Sequence, residues 1–213
     1  MIIAVDGPAA SGKGTIARAL AAHYGLPCLD TGLLYRAVGV QVLRAGGDPE
    51  NEADALAACD FPGTLLADRE LRTEMAGAAA SRVSAIPAVR EALVARQRAF
   101  AAQPGGAVLD GRDIGTVIVP HASAKLYVQA SPAVRARRRH DELARAGHEV
   151  DVGQIEADIR ARDLRDSTRA TAPLKPADDA ALLDTSDLDI DAAVDRAISL
   201  VEAQLGIGRK ASS

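Results

Sequence analysis

A glycine-rich segment near the amino terminus constrains this chain more than any other part of its sequence. Residues 7–15 read Gly-Pro-Ala-Ala-Ser-Gly-Lys-Gly-Thr and directly follow an apolar run at residues 2–5. After this segment, Ile16 and Leu20 keep an i, i+4 apolar spacing, which predicts a helix. The sequence therefore predicts a strand that turns through glycines into a helix, an arrangement that gathers backbone N–H groups around a phosphate.

Two side chains of this segment suit a nucleoside triphosphate. Lys13 supplies a positive charge near the β- and γ-phosphates, and the Thr15 hydroxyl lies close to where Mg²⁺ would sit. Gly14 separates them, whereas the simplest form of the motif has Ser or Thr directly after the lysine. A plain strand–turn–helix connection is the competing interpretation, but the strand and helix on either side favour phosphate binding. The predicted ATP-binding residues are Gly7, Pro8, Ala9, Ala10, Ser11, Gly12, Lys13, Gly14 and Thr15.

The composition indicates one soluble intracellular domain. A chain of 213 residues can bury a full core, and its formal net charge of −4 gives no general attraction to nucleic acid or membrane surfaces. Cys28 and Cys59 match no metal spacing and no disulfide framework, which fits a reducing cytoplasm. The sequence shows no signal peptide and no apolar run of transmembrane length. We therefore expect a cytoplasmic protein without nucleic-acid or membrane partners.

Short apolar runs alternate with helical patterns along the rest of the chain. After residues 2–5, strands are predicted at 27–29, 107–109, 125–128 and 181–183. This alternation is typical of an α/β fold with a parallel sheet flanked by helices, whose ligands gather at the carboxyl ends of the strands. Each of the last four strands ends in polar or glycine-rich residues: Asp30-Thr31-Gly32, Asp110-Gly111-Arg112-Asp113, Gln129-Ala130-Ser131 and Asp184-Thr185-Ser186. The predicted site lies at these ends.

Capping signals mark several helices. Ser131 before Pro132 predicts a helix start, and Gly147 is placed to end that helix. Asp151 with Gln154 resembles a capping box that opens the next helix. The last helix is predicted to bury a stripe at Val194, Ile198, Val201 and Leu205.

Two further segments depart from this regular pattern. Glycine and proline interrupt residues 46–75, which predicts an inserted substructure at the edge of the sheet. Residues 207–213 are predicted to be a disordered tail.

Arginines are the residues that a phosphate acceptor would need. An enzyme that transfers a phosphoryl group between two nucleotides must hold charged groups end to end, so positioning and electrostatic stabilisation dominate its catalysis. Arginine suits this task because its planar fork binds two phosphate oxygens at once. Arg36 lies in a helix after one strand end, and Arg112 lies within another.

Two arginine clusters allow more than one interpretation. Arg162, Asp166 and Arg169 share one face of a predicted helix, where a solvated salt-bridge ladder is the competing interpretation to a phosphate site. Arginines at 135 and 137–139 are typical either of an exposed helix or of a mobile lid that reaches the donor phosphates.

Several segments together resemble the bacterial cytidylate kinase family over nearly the whole chain. The matching segments are Asp6-Gly7-Pro8 through Gly12-Lys13-Gly14-Thr15, Leu29-Asp30-Thr31-Gly32 with Tyr35-Arg36, Ala80-Ser81-Arg82-Val83 with Val89-Arg90-Glu91, Asp110-Gly111-Arg112-Asp113-Ile114-Gly115-Thr116-Val117, and Arg162-Asp163 through Asp166, Arg169 and Ala172-Pro173-Leu174. The resemblance implies ATP-dependent phosphorylation of CMP and dCMP with Mg²⁺, by direct in-line transfer on a P-loop NTPase-type sheet of five parallel strands. It also implies a single domain with a core at 1–36 and 81–206, a small NMP-binding insert at about 37–80 and a lid at about 135–165. We expect a monomer.

The resemblance also implies roles for individual residues. Lys13, Arg36, Arg112 and Arg169 form the expected catalytic set, in which the three arginines clamp the acceptor phosphate. Ser81, Arg90 and Asp113 are expected to read cytosine, because the Asp113 carboxylate can accept from the exocyclic amine where uracil presents an oxygen. Arg162 and Asp166 are expected to contact the sugar, and Thr31 and Tyr35 complete the CMP-binding set. Mg²⁺ is expected to be held mainly by phosphates and water, without a dedicated protein metal site.

Other functions remain open at this point. The insert between Arg36 and Ser81 is shorter than in the form of the family that carries a small sheet there, which bears on how it closes over the base. Within the enzyme class, UMP, AMP or shikimate are alternative acceptors, and Asp113 with Arg90 favours cytosine. A P-loop switch protein lacks support because no Asn-Lys-x-Asp guanine-reading motif occurs. A non-catalytic nucleotide scaffold would be expected to lose Lys13 or the acceptor arginines, which are present.

Overall fold

The computed structural model describes residues 1–207 and has an α/β architecture. Its strands are β1 (Ile2–Asp6), β2 (Cys28–Asp30), β3 (Ala107–Gly111), β4 (Ala124–Gln129) and β5 (Ala181–Asp184). They form one parallel sheet in the order β2-β3-β1-β4-β5. The predicted fold class and all of the predicted strands are confirmed. The predicted disorder of the 207–213 tail falls, apart from residue 207, outside the described residues.

Helices connect the strands and cover both faces of the sheet. They are α1 (Lys13–Tyr24), α2 (Gly32–Arg44), α3 (Glu52–Ala57), α4 (Glu74–Val83), α5 (Pro87–Ala101), α6 (Pro132–Arg145), α7 (Val152–Thr168) and α8 (Ile190–Leu205). Short 3₁₀ segments lie at Gly63–Ala67 and Arg69–Arg72, and a π-helical turn lies at Ile114–Ile118. In the part of the chain described, no helix combines the length and apolar character needed to cross a membrane.

The core follows the alternation of side chains along β1. Ile3 and Val5 pack with α1 and α8 on one face, whereas Ala4 packs on the other face with Ile114 and Ile118. Because successive strand residues point to opposite faces, both helical layers are anchored to the same central strand. This central position fixes the loop that follows β1 between two packed layers.

The segment between α2 and α5 builds a separate apolar cluster. Leu34, Val38, Phe61 and Leu71 are its large buried members, and Leu29 of the edge strand β2 packs against it. No strand forms between residues 46 and 75, which are described throughout and hold α3 and the two 3₁₀ segments. The insert is therefore a small helical subdomain beside the β2 edge of the sheet.

Capping accounts for the helices that follow β4. Ser131 Oγ accepts from the Val134 amide at the start of α6, and Gly147 adopts a φ of 85° after its end. Asp151 Oδ1 accepts from the Gln154 amide, but the Gln154 side chain bonds Asp158, so only half of a capping box forms. The two helices pack against each other and are joined by a short loop.

Candidate functional site

The loop from β1 to α1 has the backbone of a phosphate cradle. Gly12 adopts a φ of 88° directly before α1, and Gly7 lies so close to Val128 O that a Cβ there would stand 2.0 Å from it. Ala10 has a φ of 58°, a strained value for a residue with a side chain. No side chain caps α1, so its first amides are free to donate to an anion. The geometry is the one that the sequence predicted.

Lys13, at the start of α1, meets an aspartate from the end of β3. Its Nζ lies 3.5 Å from Asp110 Oδ1, an ion-pair distance too long for a strong hydrogen bond. Burial lowers the pKa of Lys13 and raises that of Asp110, with the Lys13 charge opposing the rise. Asp110 Oδ1 has no hydrogen-bond partner among the described residues. The pair is thus incompletely satisfied and open to a further polar partner.

A wide cleft opens beside the phosphate loop. Its walls come from the phosphate loop with the start of α1, from α6, and from the residues around the start of α8. They are Ala10, Ser11, Gly12, Thr15 and Ile16, then Arg138, Arg139, Asp141, Glu142 and Arg145, and then Thr185, Leu188, Asp189, Ile190, Asp191 and Ala193. Apolar Leu188 and Ile190 on one side and cationic α6 on the other suit a base and its phosphates. The sequence analysis did not identify the lining residues around the start of α8. The polar residues at the end of β5 were the feature that could have indicated them.

A narrower cleft lies at the ends of β2 and β3 and gathers most of the predicted CMP-binding residues. Its lining is Asp30, Thr31, Gly32, Tyr35, Arg36, Ala80, Ser84, Arg90, Asp110, Gly111, Arg112, Asp113, Arg162, Asp166 and Arg169. Ser81 is the one predicted acceptor residue outside this lining. Asp30, Ser84 and Asp110 are lining residues that the sequence reasoning did not select, although Asp30 and Asp110 lie in polar strand ends that it identified.

One end of the narrow cleft is rich in cations. Arg112 Nε donates to Asp166 Oδ2 at 3.0 Å. Burial opposes ionisation of Asp166, but Arg112 and Arg162 hold its pKa below its usual value. Burial, with the charge of Arg112, lowers the pKa of Arg162 to about 10, and its Nε finds no partner within residues 1–207. This end of the cleft is therefore poised to bind an anion.

The other end is organised around Asp113. Arg90 pairs with its Oδ2, and Arg169 Nη2 donates to its Oδ1 at 3.4 Å. The Arg90 guanidinium also lies over the Tyr35 ring, 5.5 Å from its centroid. Burial raises the pKa of Tyr35, whose hydroxyl has no partner in the described chain. A charged network thus holds one carboxylate in place beside a free phenol.

The predicted Arg162, Asp166 and Arg169 set is brought together, but not on one helix. The helix α7 ends at Thr168, and Arg169 is its C-cap, with an extended φ of −60° and ψ of 140°. Its Nε donates to Ala172 O at 2.6 Å, within a turn in which Ala172 has a φ of 51°. This turn directs Arg169 to Asp113, so the expectation of a shared helix face is wrong for that residue.

Two other predicted residues have protein partners here. Arg36 Nη1 donates to Leu71 O at 2.8 Å and Thr73 O at 3.0 Å, so it ties α2 to the insert while lining the cleft. Ser81 Oγ accepts from Arg165 Nε at 3.3 Å. This second contact joins α4 of the insert to α7 across the cleft.

The arginine-rich part of α6 divides by burial. Arg135, 2% exposed, donates to Ala9 O and pairs with Asp163, while Arg138 bonds Thr185 O at 2.6 Å. Arg139 is more exposed and contacts Glu74 at the start of α4. Arg135 and Arg138 therefore fasten α6 to the phosphate loop and to the end of β5, and Arg139 connects it to the insert.

Comparisons with known proteins identify the class and then the family. The parallel sheet, the phosphate cradle and the adjoining cationic cleft define a P-loop phosphotransferase. A family model described as cytidylate kinase matches residues 3–203. The chain belongs to the cytidylate kinase family and is a kinase.

Curated relatives agree with this assignment. The chain is 60% identical over 204 residues to the cytidylate kinase of Xanthobacter autotrophicus, covering 96% of this chain and 98% of that protein. It is 57% identical to the cytidylate kinase of Methylocella silvestris, with 95% and 94% covered. A crystal structure of an uncharacterized protein from Eubacterium ventriosum matches with a TM-score of 0.56 at 15% identity, covering 95% of this chain and 99% of that one, and it shows the fold alone.

Proposed function

We propose that the chain transfers the γ-phosphoryl group of ATP directly to CMP and dCMP, with Mg²⁺, at the junction of the two clefts. The kinase activity and the nucleotide class follow from the family. The observation that carries the site assignment is that four of the six buried polar side-chain atoms without partners among residues 1–207 belong to residues lining one cleft or the other, namely Ser11 Oγ, Tyr35 OH, Asp110 Oδ1 and Arg162 Nε. The other two, on Tyr24 and Thr116, lie outside both linings. Buried polar groups are costly to leave unpaired, so the four cleft atoms await ligands.

The charge of the narrow cleft supports a phosphate monoester as the acceptor. Five arginines and four aspartates line it, and Lys13 adds a further cation through its contact with Asp110. The resulting excess of about two positive charges matches a phosphate group, which carries roughly −1.5 to −2 at neutral pH. We propose that Arg112, Arg162 and Arg36 bind the acceptor phosphate, because their guanidinium groups line the cation-rich end of the cleft.

The Asp113 network supports cytosine as the base. A carboxylate held by Arg90 and Arg169 stays ionised and presents acceptor lone pairs that the exocyclic amine of cytosine can donate to. Uracil presents an oxygen at that position, so a buried carboxylate would face an acceptor and discriminate strongly. Since Arg169 pairs with Asp113 in the structure, we place its main role at the base rather than at the phosphate. Ser81 joins the base site when Arg165 releases its hydroxyl.

The donor site follows from the wide cleft. The amides of the phosphate loop and Lys13 hold the ATP phosphates, and Leu188 with Ile190 covers the base. Among residues 1–207, no group of three or more His, Cys, Asp or Glu side chains is placed to bind a metal. The unpartnered Asp110 Oδ1 and the exposed Thr15 hydroxyl fit a Mg²⁺ ion held mainly by phosphate oxygens and water. When bound, the ion neutralises charge that develops on the transferred group.

The remaining assignments concern organisation. We propose one domain in which the insert at about 37–80 and a lid at about 135–165 close over a core at 1–36 and 81–206. The apolar cluster, which spans residues 34–93, supports an insert, and the packing of α6 against α7 supports a lid. We also propose that the protein is a cytoplasmic monomer that acts on small molecules. Light scattering coupled to gel filtration tests the oligomeric state.

The stereochemistry of transfer tests the proposed reaction. ATP made chiral at the γ-phosphorus should give CDP with inverted configuration, because direct in-line attack by the CMP phosphate inverts the centre once. Activity should require Mg²⁺ and be restored when the ion is returned after chelation. Retained configuration would indicate a phosphoenzyme intermediate and contradict direct transfer.

A further inference from the structure

Asp6 is a buried carboxylate that the proposed reaction leaves without a role. It is the last residue of β1, it is 4% exposed, and it directly precedes Gly7 of the phosphate loop. Its Oδ1 accepts from the Ile114 amide and its Oδ2 accepts from the Gly115 amide, both at 2.8 Å. A buried carboxylate is costly even when hydrogen-bonded, so its position points to a use in the site.

The two amide N–H groups that donate to Asp6 belong to Ile114 and Gly115, the residues directly after Asp113. They open the π-helical turn Ile114–Ile118, in which the Val119 amide bonds Ile114 O at 2.8 Å. The first amides of a helical turn have no partner inside the turn. A single carboxylate from the central strand therefore fixes the backbone from which the acceptor residues project.

The geometry points to Asp6 as a positioning residue for acceptor recognition: through the Ile114 and Gly115 amides it sets where Arg112 and Asp113 stand in the narrow cleft. Asp6 lies behind the cleft and is not among its lining residues, so it acts through the backbone. This inference rests on the proposed roles of Arg112 and Asp113. It predicts an effect on the acceptor that the donor does not share, because the hydrogen bonds of β1 that support the phosphate loop do not use the Asp6 side chain.

The protonated form of Asp6 can be mimicked by asparagine. Burial raises the pKa of Asp6 from 3.8 to about 7 against the lowering effect of the Gly115 and Ile114 amides, and the charges of Asp113 and Asp110 raise it further. A neutral side chain at this position turns one accepting oxygen into a donor that faces an amide N–H. Asp6→Asn reproduces that neutral form at nearly the same volume, so it loosens the turn without opening a cavity.

Steady-state kinetics with CMP, UMP and ATP at about pH 8, where the parent Asp6 is mainly ionised, tests the inference. Asp6→Asn should raise the KM for CMP by about fivefold or more and lower the CMP/UMP ratio of kcat/KM by about threefold or more, with the KM for ATP within about twofold of the parent. Gly115→Ala is a second variant, because its Cβ would come 3.4 Å from Asp6 Oδ2 and 3.1 Å from Lys125 Cδ. It should give the same asymmetry if Asp6→Asn does not fold.

Two comparison variants show whether a negative result contradicts the proposed base site or only the inference about Asp6. Val201→Ala, in the α8 face of the core, lowers stability at a distance and should leave both KM values and the ratio unchanged. Asp113→Asn should lower the CMP/UMP ratio by itself. An unchanged ratio in Asp113→Asn would overturn the proposed base site and the inference with it. The inference alone would be overturned if Asp113→Asn lowers the CMP/UMP ratio but Asp6→Asn keeps the ratio of the parent. It would also be overturned if Asp6→Asn changes the KM values for CMP and ATP equally.

Discussion

Lys13 and Asp110 form an ion pair that joins the phosphate loop to the strand end carrying the acceptor residues. The Lys13 Nζ lies 3.5 Å from Asp110 Oδ1, and Arg112 and Asp113 follow Asp110 in the chain. Both charges are largely buried, and removing one would leave the other uncompensated. The pair therefore couples the phosphate loop to the proposed acceptor residues.

The lysine of this pair gives the first prediction. Lys13→Ala should lower kcat by at least about 100-fold, because a fixed cation that stabilises the transferring phosphoryl group is lost. Far-UV circular dichroism should show an unchanged fold. The exposed Lys175 offers a matched control, and Lys175→Ala should keep the parent kcat. A Lys13→Ala variant with full kcat would remove Lys13 from the donor site.

Asp166 is expected to help the enzyme distinguish the ribose of CMP from the deoxyribose of dCMP. Asp166→Asn breaks the ion pair with Arg112, so both CMP and dCMP should lose kcat/KM. The loss should be larger for CMP, by about tenfold, because the carboxylate also accepts from a sugar hydroxyl that dCMP lacks. Asp178→Asn, at an exposed position, serves as the control. Equal losses for the two substrates would confine Asp166 to positioning Arg112.

The α6–α7 pair predicts a ligand-dependent change in mobility. Arg139 is more exposed than Arg135 and contacts Glu74 of the insert, so α6 connects the proposed lid to the insert. Hydrogen exchange in α6 and the loop after it should slow when a bisubstrate analogue joining ATP and CMP binds, whereas β1 and β3 should exchange equally in both states. Equal protection of α6 with and without the analogue would argue against a lid.

Asp6 predicts the direction of a pH effect on stability. Its pKa is raised by burial from 3.8 to about 7, so between these values the folded state holds a proton that the unfolded state has lost. Stability contributed by this group is therefore full below about pH 4 and is lost as the pH rises through about 7. Denaturation of the parent and Asp6→Asn near pH 5 and near pH 8 measures it. The parent should lose stability relative to the variant at the higher pH; a constant difference, or a gain, would contradict the burial argument.

Local sequence patterns predicted the sheet and the phosphate cradle, because each rests on spacing within a few residues. The family resemblance, rather than local spacing, named most of the residues that line the narrow cleft. Gly12 and Lys13 sit in a contiguous turn, and Asp113 sits at a strand end whose polarity is visible in the chain. The errors have a different origin. Arg169 was assigned to a helix face, but a turn at Ala172 redirects it, and such a turn depends on tertiary packing.

Long-range contacts explain what else the sequence did not show. Ser81 is turned to Arg165, 84 positions away, and is thereby outside the cleft lining. The wall of the wide cleft at Leu188 and Ile190 is made by apolar residues in a loop and at the start of α8, which carry no local signal of their own. Asp6 reads as an ordinary strand end until the fold brings Ile114 to it.

The selection of cytosine by Asp113, which Arg90 and Arg169 hold in place, is tested by the acceptor profile of the enzyme. Initial rates of ATP-dependent phosphorylation should be compared for CMP, dCMP, UMP, AMP and shikimate, with the parent and with Asp113→Asn. CMP and dCMP should be the preferred acceptors of the parent, and Asp113→Asn should narrow the preference for CMP over UMP by about tenfold or more. A parent that prefers another acceptor, or a variant with an unchanged CMP/UMP ratio, would contradict the proposed selection of cytosine.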